Sequence, residues 1–99
     1  MTERIPEEVL QAATLRFCRR VAIALVGCLE ESGLSLDEID KRLHKRKGWA
    51  RKFINGLLDA SVADGQYGLR DMADFATVCG VELHLKVARL NPETDEPAP

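Results

Sequence analysis

The segment SLDEIDKRLHKRKGWARKFINGLL, residues 35–58, reads as two short helices joined by a tight connection. Ser35 followed three residues later by Glu38 has the form of a capping box, in which the hydroxyl takes an orphan backbone N–H and the carboxylate reaches back to the cap. Leu36, Ile39 and Leu43 then form the inner face of a helix running to about His44, with Lys41, Arg42 and Lys45 facing outwards. Lys45-Arg46-Lys47 is the connection, and a further helix is expected from Gly48 to Leu58. At about 100° per residue, Ala50, Phe53, Ile54 and Leu57 fall on one side of it, and Gly48, Arg51, Lys52 and Asn55 on the other.

Upstream, Pro6 stands where a first turn tolerates proline, and Glu7 and Glu8 favour the positive end of a helix dipole. Val9, Leu10, Ala13, Phe17, Val21, Ala24, Leu25, Cys28 and Leu29 follow at helical spacing, which predicts a long first helix ending at Ser32-Gly33. Between residues 21 and 29 nearly every side is apolar, so burial on more than one face is expected. Downstream, Asp59 to Gly68 reads as a loop pinned by Val62. Leu69 to Cys79 reads as a helix burying Leu69, Met72, Ala73, Phe75, Ala76 and Cys79, with Gly80 as its left-handed stop.

The period then changes. Val81, Leu83, Leu85 and Val87 alternate with Glu82, His84 and Lys86, the two-residue repeat of a half-buried strand. A single strand in a helical domain lacks hydrogen-bond partners, so its own copy across a two-fold axis is the expected partner and these four apolar residues the expected dimer interface. Residues 91–99 hold three of the four prolines and three acids, and read as a disordered tail behind one domain of residues 1–90. The expected class is all-α, a helical bundle with a long N-terminal helix and one C-terminal strand.

An apolar fraction of 45% and a charged fraction of 30% are those of a globular chain. The net charge of -2 conceals a lopsided distribution. Seven of the fourteen Lys and Arg residues lie between Lys41 and Lys52, where there is no acid. Cys18, Cys28 and Cys79 are widely spaced and sit in apolar helical patterns, which reads as free buried thiols without disulfide or metal. No Ser, Cys, His and acid arrangement and no Gly-rich phosphate loop is present, so neither an enzyme nor a cofactor is expected. Val21 to Leu29 follows Arg19-Arg20 much as a signal segment would, but Glu30-Glu31 ends it at about half a membrane span. No membrane association is expected, and the cytoplasm, next to the nucleoid, is the expected location.

A basic run is often only a solvated helix face. Here it coincides with a helix whose outer side is cationic, polar and narrow at Gly48, as entry into a DNA major groove about 12 Å wide requires. Lys and Arg donate to guanine N7 and O6, Asn55 can pair with adenine or a phosphate, and the backbone N–H groups at the helix start offer a phosphate site. Trp49 reads as a packing residue whose indole N–H stays available.

Ser35-Leu36-Asp37-Glu38-Ile39 resembles the polar cap and helix start of the lambda-repressor-like, Cro-type or xenobiotic-response-element helix-turn-helix family. Leu43-His44-Lys45-Arg46-Lys47-Gly48-Trp49-Ala50 resembles the turn and recognition-helix entry of that family, and Leu69 to Leu83 its closing helix. The resemblance covers roughly Leu25 to Val87. It implies base contacts from Lys47, Gly48 and Lys52 and phosphate contacts from Arg46, Trp49 and Arg51. Asp40 stands where the family has a small residue, His44 where it has a turn glycine, and extra residues separate Asn55-Gly56 from Leu69.

The function expected from these features is sequence-specific binding of double-stranded DNA by a homodimeric transcriptional regulator, a repressor acting on an inverted repeat. Its site comprises Lys45, Arg46, Lys47, Gly48, Trp49, Arg51, Lys52 and Asn55, with Val81, Leu83, Leu85 and Val87 as dimer interface. The alternative is an antitoxin, whose acidic tail or first helix engages a small basic toxin.

Overall fold

The computed structural model describes residues 4–61, 67–94 and 96–97. Among these residues four helices follow one another: α1 (Glu7–Ser32), α2 (Leu36–Arg42), α3 (Trp49–Leu58) and α4 (Leu69–Val78). No sheet is present among the described residues, and no helix is long and apolar enough to cross a membrane. The loop position Val62 lies outside the described residues.

The core lies where α1 and α2 pack on α3 and where α4 closes against both. Leu25 from α1, Ile39 from α2, Phe53 and Leu57 from α3 and Phe75 from α4 are its largest fully buried side chains. Each contributes about 1.5–3 kcal/mol of burial. Phe53 is central, with its ring centroid 5.9 Å from Phe75, 5.1 Å from Tyr67 and 5.3 Å from Trp49. The expected amphipathic division of α3 holds, since Ala50, Phe53, Ile54 and Leu57 are all buried.

Helix ends follow local chemistry. The Ser35 hydroxyl accepts the Glu38 N–H at 3.2 Å while Glu38 accepts the Ser35 N–H at 3.4 Å, which completes the capping box. α2 stops earlier than its apolar pattern suggests, because His44 adopts a left-handed φ of 57°. The His44 N–H then donates to Lys41 O at 3.2 Å and the Lys45 N–H to Asp40 O at 2.8 Å, a Schellman closure. Gly80, at φ 80°, ends α4 in the same way, with the Val81 N–H on Ala76 O at 3.0 Å.

Three expectations require correction. α1 buries one stripe, Cys18, Ala22 and Leu25, while Ile23 is 70% exposed and Ala24 is exposed too. Val21, Val26 and Leu29 pack partly on the core, and Ile23 and Ala24 are left uncovered among the described residues. Leu69 is 79% exposed and Ala73 is exposed, because α4 turns only its Phe75 and Ala76 side fully inward. Residues 81–89 form no strand, since among the described residues the backbone of 82–89 makes no hydrogen bond and a ladder needs a second strand. In the tail, the Asn91 N–H donates to Glu96 O at 2.7 Å, and Leu90 bridges to Pro97.

Candidate functional site

The site begins with a carboxylate on the inner face of α2. Asp40 follows Ile39 on the stripe that also holds Leu36 and Leu43, and it is only 3% exposed. Its Oδ2 accepts the Gly48 N–H at 2.9 Å and its Oδ1 the Ala50 N–H at 2.7 Å. One side chain of α2 thus holds the start of α3. Hydrogen bonds from backbone N–H groups to a carboxylate are charge-assisted and contribute about 1.5–3 kcal/mol.

This arrangement uses up most of the backbone donors expected to form a phosphate site at the helix start. Gly48 and Ala50 give their N–H groups to Asp40, and the Trp49 N–H goes to Arg46 O at 3.1 Å. Of the N–H groups from Gly48 to Arg51, only that of Arg51 has no partner among the described residues. An anion held by this region therefore meets mainly side chains.

Those side chains are exposed. Lys45, Arg46 and Lys47 occupy the turn, and Arg51, Lys52 and Asn55 share the side of α3 opposite its buried face. None of these five cations forms an ion pair with an acid among the described residues. Gly48 is half-buried at φ 88°, a left-handed conformation that glycine adopts without strain. No atom stands within 4 Å of where its Cβ would be. The backbone, not crowding, selects glycine there.

Trp49 is half-buried, stacked on Phe53 and edge-on to Tyr67 at 6.0 Å. Lys45 Nζ lies 5.2 Å from the centre of its ring, a cation–π contact on the outer side. Trp49 thus packs the base of the basic turn. At the other end of α3, Arg19 Nε of α1 donates to Leu58 O at 3.3 Å, a cation on a free helix carbonyl. α3 is tied down at both ends.

The four proposed interface residues divide in two. Val81 and Leu83 are half-buried and pack on the core, whereas Leu85 is 86% and Val87 94% exposed. Asp40 is the residue that sequence reasoning missed as a structural anchor. An acid on an otherwise apolar helical stripe was the available signal.

The three cysteines are free thiols, and burial pushes the Cys18 and Cys79 thiols up, the latter partly offset by a hydrogen bond with Ser32. Among the described residues, no three His, Cys, Asp or Glu side chains converge to hold a metal ion. Comparison with protein-family models, with curated proteins and with solved structures finds no match.

Proposed function

We propose that this chain is a lambda-repressor-like helix-turn-helix regulator that binds double-stranded DNA as a homodimer, with α3 as the helix that enters the major groove. The observation that supports this best is the division of α3 and its preceding turn. Ala50, Phe53, Ile54 and Leu57 are buried, and Lys45, Arg46, Lys47, Arg51, Lys52 and Asn55 are exposed beside them without acidic partners among the described residues. A helix anchored through Asp40 and Arg19 can present that face as a rigid body.

In this reading Lys47 and Lys52 contact base edges, Arg46 and Arg51 contact phosphates, and Asn55 pairs with adenine or a phosphate. Gly48 lets the backbone approach the groove. Residues 81–87 become an antiparallel ribbon between two copies, and a near-palindromic operator follows from the two-fold axis. Repression and a cytoplasmic, nucleoid-associated location belong to the same proposal. Binding of the full-length chain to a fluorescent duplex pool, measured by anisotropy, tests it. Saturable binding supports the reading and absence of binding at low salt contradicts it.

A second reading, an antitoxin holding a small basic toxin, is favoured by the apolar Ile5 and Leu10 left exposed at the start of α1. Co-purification from the native host distinguishes the two, because an antitoxin brings its toxin with it.

A further inference from the structure

The segment after α4 is seated at one end only. Val81 and Leu83 pack on the core, whereas Leu85 and Val87, which the two-residue period of the sequence would put on the same face of a strand, are exposed. Beside them runs a groove of about 570 Å³ whose walls include Phe17, Ala24, Leu69 and Met72. Resting on the reading of the chain as a two-fold dimer, we propose that two copies pair through this segment in one antiparallel register, centred on His84. Leu85 and Val87 of each copy then lie on the surface where Leu83 and Val81 of the other are seated.

The register follows from charge and pleat. Residues directly opposite in an antiparallel pair share a face, so apolar positions must meet apolar ones and the axis passes through a residue, not between two. An axis at His84 sets Glu82 opposite Lys86 of the partner subunit twice over. It also sets Leu83 opposite Leu85 of the partner subunit and Val81 opposite Val87 of the partner subunit. Leu85 and Val87 thereby each gain a seated neighbour.

The adjacent registers are poorer. An axis at Leu83 places Glu82 against the partner's His84 but sets Lys86 against the partner's Gly80 and Val87 against the partner's Cys79, residues that close α4 and cannot join a ladder. An axis at Leu85 places Glu82 against the partner's Ala88 and Val81 against the partner's Arg89. Only the His84 register makes the segment complementary to itself in charge and in burial.

Charge reversal tests this on the full-length chain by sedimentation equilibrium. Glu82 and Lys86 are both exposed, so Glu82→Lys and Lys86→Glu leave the bundle intact. Each single variant sets like charges opposite at two places and should raise the dimer dissociation constant about tenfold. The double variant E82K/K86E should return it to the wild-type value, although it too lacks the 3.1 Å contact between Glu82 and His84. An equimolar mixture of the two single variants should form a heterodimer as tight as the wild type. Single variants that dimerise like a dimeric wild type, or a double variant as weak as the singles, overturn the register and leave the two-fold reading standing. A wild type that is monomeric at tens of micromolar overturns both.

Discussion

The Asp40 carboxylate of α2 accepts the Ala50 N–H of α3 at 2.7 Å inside the protein, and through this bond the basic turn between them is held to the core. Removing the acceptor leaves the buried Ala50 N–H and the half-buried Gly48 N–H without partners. Asp40→Ala should cost about 2–3 kcal/mol in urea denaturation, the desolvation penalty of such groups. A loss below about 0.5 kcal/mol, the level of an ordinary surface substitution, would mean that the bond does not anchor α3.

His44 is exposed and held at φ 57°, where a side chain adds steric cost that glycine avoids. His44→Gly should stabilise the protein by about 0.5–1 kcal/mol, the relieved strain exceeding the extra freedom of the unfolded chain. Thermal unfolding followed by circular dichroism measures this. A lower midpoint than wild type would contradict the left-handed closure of α2.

These two positions illustrate what was legible in the sequence. The capping box, the apolar faces of α2 and α3 and the stop at Gly80 are local features, set by periodicity and by backbone groups within a few residues. Asp40 and His44 departed from the expected pattern for reasons that lie between elements. Asp40 bonds to residues eight and ten positions away, and His44 satisfies a closure normally made by glycine. The exposure of Ile23 and Leu69 was illegible because periodicity says which side of a helix is apolar but not whether anything covers it. Val81 to Val87 has strand periodicity without a strand for a related reason, since a ladder belongs to a pair and the single chain supplies one member.

Leu85 should matter to assembly and not to folding. It is 86% exposed, so Leu85→Glu removes no core contact and should leave helix content and thermal midpoint unchanged. In sedimentation the variant should be monomeric where the wild type is dimeric. Leu83, seated on the core, is the less discriminating position because a charge there disturbs both. A Leu85→Glu protein that still dimerises would place the interface elsewhere, with the uncovered side of α1 as the next surface to test.

Binding to DNA should fall steeply with salt. With Asp40 taking the Gly48 and Ala50 N–H groups, attraction to phosphate comes mainly from side chains, and two copies supply on the order of six to ten Lys and Arg contacts. Affinity should drop by roughly 10³- to 10⁵-fold between about 50 and 200 mM salt. A flat response would reduce the basic turn to a solvated surface.

Whether the exposed side of α3 reads DNA sequence is decided by selection of bound duplexes from a random pool, performed in parallel with wild type and with the Lys47→Ala, Lys52→Ala double variant. Both lysines are exposed, so the variant should fold normally. Wild type should enrich a near-palindromic sequence with half-sites about one DNA turn, roughly 34 Å, apart. The double variant should lose that preference while retaining weak binding, since each base contact contributes about 1–3 kcal/mol of discrimination. Enrichment of the same sequence by the folded variant, or no enrichment by the wild type, would contradict the account.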